Sequence, residues 1–108
     1  MLKGTIIENS LADKSILNNF KIENTRRAAD WILHDVLINE DQISSLSQSL
    51  ADGPWYIHLW RPGEDAVIVV FKNKIFTINF SDKSTWTEAM AYGKSIGIPE
   101  QQLDFPID

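Results

Sequence analysis

The chain of 108 residues contains no cysteine, and histidine, glycine and proline are scarce, with two, five and four residues. Without cysteine, disulfide frameworks, thiolate metal sites and cysteine nucleophiles are excluded. The few glycines form no phosphate-cradling loop or dinucleotide fingerprint, and neither Gly-x-Ser-x-Gly nor His-Glu-x-x-His occurs in the sequence. The sequence therefore indicates no catalytic residue, no metal and no cofactor, and it favours a protein that is not an enzyme.

Positive charge and long apolar runs are also scarce. Ten Lys and Arg residues stand against fifteen Asp and Glu residues, which gives a formal net charge of −5. This balance argues against nucleic acid as a partner, because binding to the phosphate backbone requires a basic surface. No apolar run approaches the length of a membrane span, and no apolar signal segment follows the start of the chain. We therefore predict a cytoplasmic protein with no membrane partner.

The composition that remains is that of a globular protein. Hydrophobic residues make up 44% of the chain and charged residues 23%, as in ordinary folded domains. A chain of this length fits one hydrophobic core. We predict that residues 1–108 form a single α+β domain.

The densest run of β-branched and aromatic residues lies between residues 52 and 81, and it predicts a three-stranded antiparallel meander over 55–81. Two expected turns, 61–65 and the two-residue loop Asn73-Lys74, join its strands. We expect Leu59 opposite Val67 and Ile57 opposite Val69, a register that separates the meander into two sides. The first side is wholly apolar and is expected to lie under the helices: Ile57, Leu59, Val67, Val69, Phe71, Phe76, Ile78 and Phe80. The second side is more aromatic and has no evident cover: Tyr56, His58, Trp60, Ile68 and Val70.

The rest of the chain supplies two further strands and two helices. Short β-branched runs predict strands near 4–8 and 31–38, and the weak pattern from Leu11 to Thr25 predicts an irregular segment that lies across the sheet. Apolar stripes predict helices over about 41–51 and 85–96.

Three further features complete the predicted fold. Gly97 and Pro99 are expected to end the second helix. Beyond them, Leu103 and Phe105 are expected to reach the core. We place both helices on one face of a mostly antiparallel sheet, which makes the fold a two-layer α+β sandwich.

The aromatic side of the meander is the candidate binding surface. Aromatic rings on an open sheet stack on the rings of a ligand, and an arginine at the end of a strand holds an anion. An open apolar face is equally typical of a protein interface, a homodimer among them, and the third alternative is cover by the chain's own residues. The candidate residues are Tyr56, His58, Trp60, Arg61, Ile68, Val70 and His34.

Two smaller clusters carry less information. His34 and His58 are the only histidines, and with Asp35 or Glu64 nearby they would supply part of a metal or acid–base site, but no third ligand has a suitable spacing. Lys21, Arg26 and Arg27 form a basic cluster, which we interpret as a solvated loop.

These features predict a non-enzymatic protein-interaction or regulatory module. It would bind a partner protein, or a second copy of itself, through the open aromatic face or a sheet edge. The alternative hypothesis is a small-molecule binder or modest enzyme with a pocket around Tyr56, His58, Trp60 and Arg61.

Overall fold

Six strands in one antiparallel sheet form the centre of the computed structural model, which describes residues 1–105. The strand order is β2-β3-β1-β4-β5-β6, so β2 and β6 are the edges. The elements are β1 Leu2–Ile7, β2 Lys21–Ala28, β3 Trp31–Ile38, α1 Ile43–Ser49, β4 Ile57–Trp60, β5 Ala66–Phe71, β6 Lys74–Asn79 and α2 Thr87–Ser95. The predicted α+β class, the antiparallel sheet and the two helices are confirmed. None of the described helices is long and apolar enough to cross a membrane.

One face of the sheet, which we call the α1 face, is covered by α1 and by the segment between β1 and β2. Ile43, Leu46 and Leu50 pack there against inward residues of the central strands. Two 3-10 turns, Glu8–Ser10 and Lys14–Asn19, lie in the covering segment. They bring Leu11, Ile16, Leu17 and Phe20 into the same core. The irregular segment predicted from Leu11 onward therefore serves as a cover for the sheet.

The opposite face, which we call the α2 face, carries a second core built by α2 and residues 98–105. Ala89, Ile98, Leu103 and Phe105 are buried there. They pack with Trp86 against Val67, Val69, Phe71 and Ile78. The expected burial of Leu103 and Phe105 is confirmed. The prediction that both helices lie on one face is corrected, because each helix packs on its own face of the sheet.

Helix α2 ends where the sequence predicts. Gly97 has a φ of 98°, and the backbone N–H of Ile98 donates to the carbonyl of Gly93 at 3.0 Å. A left-handed glycine at this position lets the chain turn back and bury Ile98. The turn directs residues 98–105 back over the α2 face.

The register of the meander differs from the predicted one. Leu59 pairs with Ile68 and Ile57 with Val70, a slip of one residue that moves Ile57 and Leu59 to the α1 face. In the next hairpin the loop is Lys72-Asn73, with a φ of 58° at Asn73. Relative to the predicted loop Asn73-Lys74, the partners of β5 on β6 move by two residues. An even shift leaves every β6 side chain on the face that was predicted for it. Alternation did not determine the first register because both faces of β5 are covered and both are apolar.

Strand β2, Lys21–Ala28, was not predicted from the sequence. All eight of its residues are exposed, so it carries no apolar alternation that would predict a strand. Pairing with β3 holds it in place, and the turn that joins the two strands includes Ala29 at a φ of 54°. The basic cluster Lys21, Arg26 and Arg27 therefore lies on an edge strand and not in a loop.

Candidate functional site

The predicted binding residues do not form one site, because they lie on both faces of the sheet. His58 pairs with Val69 and Trp60 with Val67, which places them on the α2 face. Ile68 and Val70 belong to the α1 face, and Val70 is fully buried there. The slip of one residue in the register is the cause of this separation.

The chain itself covers Tyr56 and His58. The ring of Phe105 lies 5.5 Å from the ring of Tyr56 and 6.1 Å from the ring of His58. The Tyr56 hydroxyl donates to the carbonyls of Gln102 and, at 3.1 Å, of Asp104. Burial raises the pKa of Tyr56 above its ordinary value. For these two residues, cover by the chain's own residues is the arrangement found.

His34 is buried on the α1 face, away from His58, with 7% of its surface exposed. Its Nδ1 lies 2.9 Å from the hydroxyl of Thr25, and its Nε2 lies 3.1 Å from a carboxylate oxygen of Glu8. The imidazole thus connects the edge strand β2 to the turn after β1. Sequence reasoning had considered Asp35 or Glu64 as its acidic neighbour, whereas the neighbour is Glu8. Within residues 1–105 no three His, Asp or Glu side chains are grouped as a metal site.

The part of the α2 face over β1 and β3 lies beside the helical cover and forms a depression of about 730 Å³, which we call the open depression. Strand β2 borders it on one side, and the turn after β4, with Pro62 and Gly63, borders it on the other. Its polar and aromatic lining includes Lys3, Thr5, Asn24, Arg26, Asp35 and Trp60. Only Trp60 belongs to the site predicted from the sequence. The carboxylate of Asp35, in the middle of a mostly apolar strand, is the signal that could have revealed the others.

A hydrogen-bond network centred on Asp35 forms part of that lining. The carboxylate accepts hydrogen bonds from Thr5 Oγ1 at 2.8 Å, Arg26 Nη1 at 2.6 Å and Asn24 Nδ2 at 3.5 Å. Desolvation alone would raise the pKa of Asp35. The hydrogen bonds from Thr5 and Asn24 and the charge of Arg26 outweigh that effect and lower the pKa below its usual value. The carboxylate therefore stays charged and holds the Arg26 guanidinium in place.

Arg61 and Ile68 do share a site, but it lies on the α1 face. They line a depression of about 440 Å³ beside β6, together with Ile43, Ile75 and Thr77. Arg61 forms ion pairs with Glu40 and, at 3.8 Å, with Glu64. The predicted pocket around Tyr56, His58, Trp60 and Arg61 is thus divided among three places: the region under residues 102–105, the open depression and this second depression.

Comparisons of the chain with protein-family models, with curated proteins and with solved structures found no match.

Proposed function

We propose that the protein is a non-catalytic protein-interaction domain and that a partner protein docks in the open depression. The observation that carries the proposal is the unequal cover of the α2 face. Residues 86–105 pack over β5 and the neighbouring part of β4, whereas Lys3, Thr5 and Asp35 lie in a depression large enough to receive a side chain or loop of another protein.

The residue types in the depression support a protein partner. Trp60 offers an aromatic surface at one wall, and Arg26 offers guanidinium donors at the other. Tryptophan and arginine contribute more to protein interfaces than most residue types. Because Asp35 already orders the Arg26 side chain, binding costs less conformational entropy at that residue.

The charges of the depression indicate how the partner is recognised. Lys3 and Arg26 are balanced by Glu23 and Asp35, so the depression itself carries no net charge. Hydrogen bonding and shape then determine the choice of partner. We expect a protein loop that brings polar side chains to Asn24 and Arg26 and an apolar side chain to Trp60.

A matched pair of substitutions on β2 tests the proposal. Arg26 lines the depression, whereas Arg27 is its neighbour on the same exposed strand and lies outside the lining. A partner captured with the tagged domain would be purified and titrated against wild type, Arg26→Ala and Arg27→Ala by calorimetry. We expect Arg26→Ala to weaken binding about tenfold or more and Arg27→Ala to change it less than about twofold.

Equal effects of the two substitutions, in variants with the same melting temperature, would overturn the proposal. If the captured partner is a second copy of the chain, light scattering will show a dimer that Arg26→Ala weakens. A partner whose affinity neither variant changes would also count against this surface.

A small polar ligand is the second candidate, because donors from Lys3, Thr5 and Arg26 share one depression with an aromatic wall. A thermal-shift screen of small polar compounds distinguishes it from the first. A hit that raises the melting temperature of wild type and Arg27→Ala, but not of Arg26→Ala, would favour a ligand over a protein.

A further inference from the structure

A groove runs along the edge strand β6 on the α1 face, away from the open depression. It consists of two depressions, of about 440 Å³ and 200 Å³, and Ile75 lines both. Ser44, Ser47 and Gln48 of α1 line the smaller one, and Ile43 and Ile68 are apolar members of the larger one. We call these two depressions together the β6 groove.

Hydrogen bonds hold strand β6 at both of its ends. Near the β5–β6 turn, the Ser47 hydroxyl donates to the carbonyl of Phe71 at 2.5 Å, and the N–H of Asn73 donates to the carbonyl of Ser47 at 3.4 Å. At the other end of β6, the N–H of Asn79 donates to Thr85 Oγ1 at 2.9 Å. Helix α1 is therefore fixed to the β5–β6 turn, and the stretch of β6 between that turn and Asn79 faces no other strand of the described sheet.

The two edges of the sheet differ in how they resist pairing with another strand. Strand β2 carries Lys21, Glu23, Arg26 and Arg27, and charges of this kind discourage edge-to-edge association. Strand β6 carries one charge, Lys74. Its ammonium lies over the ring of Phe76 at 5.5 Å, and Lys74 also borders the smaller depression of the groove. On the groove side β6 presents Ile75, which is 42% exposed, and Thr77.

The mouth of the larger depression has a surplus of negative charge. Glu40 and Glu64 are both ion-paired to the same Arg61, so two carboxylates share one guanidinium. A basic side chain of a partner would be attracted there. The apolar lining around Ile68 and Ile75 suits an aliphatic side chain of the same partner.

We infer that β6 binds an extended peptide segment of another protein by strand addition. Main-chain hydrogen bonds to the open edge of β6 would supply part of the affinity, and the groove would receive alternate side chains of the peptide. Those side chains are aliphatic at the centre, beside Ile75 and Thr77, and basic at the end near Glu64. This site goes beyond the proposed function, because it uses another edge and the other face of the sheet.

A designed heptapeptide tests the inference on the whole chain. Its sequence, lysine–threonine–valine–threonine–valine–threonine–lysine, places both valines and both lysines on one side of an extended strand, whichever direction it binds. Titration into isotope-labelled protein, followed by NMR, is expected to shift the amides of residues 74–78. A peptide N-methylated on both the central threonine and the valine that follows it should bind at least about tenfold more weakly. In either strand direction one of these two N–H groups points toward β6, and the methyl group removes it as a hydrogen-bond donor.

Exposed isoleucines on the two edge strands give a matched pair of variants. Ile75→Glu is expected to weaken peptide binding about tenfold or more, and Ile22→Glu, at a residue 40% exposed on β2, less than about twofold. Glu64→Gln should weaken the lysine peptide but not a version that ends in threonine. Circular dichroism would establish that the variants remain folded.

Three results would overturn the inference: no saturable binding up to about 1 mM peptide, equal binding of a peptide that ends in glutamate, or shifts centred on β2. None of these results would bear on the proposed docking of a partner in the open depression, because that proposal is tested by Arg26→Ala on the other face of the sheet.

Discussion

Phe105→Ala tests the finding that the chain's own residues cover the aromatic side of the meander. Phe105 is fully buried, and its ring lies 5.0 Å from the ring of Trp86 and 5.5 Å from that of Tyr56. Truncation to alanine removes the ring that connects α2 to β4. We expect the domain to stay folded but to lose a large part of its stability.

The size of the loss follows from burial. Replacing a buried phenylalanine with alanine typically costs about 3–5 kcal/mol of unfolding free energy, because it removes apolar contacts and leaves a cavity. We expect a loss of at least about 3 kcal/mol.

Urea denaturation at neutral pH measures this loss directly. With a slope of about 1.5 kcal/mol per molar urea, a loss of about 3 kcal/mol lowers the midpoint by about 2 M. Ile22→Ala on the exposed edge strand β2 is the matched control, and it should cost less than about 1 kcal/mol. The near-ultraviolet circular dichroism of Phe105→Ala should also change, because Trp86 loses one of its neighbouring rings.

A midpoint shift in Phe105→Ala no larger than that in the control would refute the reasoning. It would mean that residues 99–105 do not pack on the α2 face. Tyr56 and His58 would then return as members of an open aromatic surface.

Two further predictions concern the packing of α2 and the Asp35 network. Gly93→Ala should lower the melting temperature, although alanine favours helix, because its Cβ would lie 2.6 Å from Leu103 Cδ2. In a Leu103→Ala background, which lacks the clashing atom, Gly93→Ala should lower the melting temperature by less. A melting temperature of Gly93→Ala above that of wild type would contradict this packing. Because the folded-state pKa of Asp35 is lowered, its stabilisation is complete above about pH 4 and is lost as the pH falls through the folded value. Asp35→Asn should therefore lose less stability than wild type between pH 6 and pH 3 in urea titrations, and equal losses would contradict the role of the network.

The sequence by itself determined the elements whose signals are local. Turn residues between apolar runs predicted the three strands from β4 to β6, and apolar stripes predicted both helices within a few residues of their bounds. Gly97 and Pro99 marked the end of α2 because the left-handed conformation and the missing N–H act at single positions. Leu103 and Phe105 could be assigned to the core from their chemistry alone.

Only the tertiary structure decided which face each strand residue occupies. In β5 both sets of alternate residues are apolar, since α1 covers one face and α2 the other. The predicted register and the observed one, which differ by one residue, therefore both pair apolar residues with apolar residues. The difference separates Tyr56, His58 and Trp60 from Ile68 and Val70. Strand β2 escaped prediction for the opposite reason, because neither of its sides is buried.

The candidate sites also depend on tertiary structure. The open depression brings together Thr5, Arg26, Asp35 and Trp60 from four strands, and the β6 groove combines α1 with a strand far along the chain. No sequence spacing predicts that these residues lie close together, because the strand order β2-β3-β1-β4-β5-β6 brings them together. Local sequence signals determined both helices and every strand but β2, and the pairing and cover of these elements determined which side chains remain exposed.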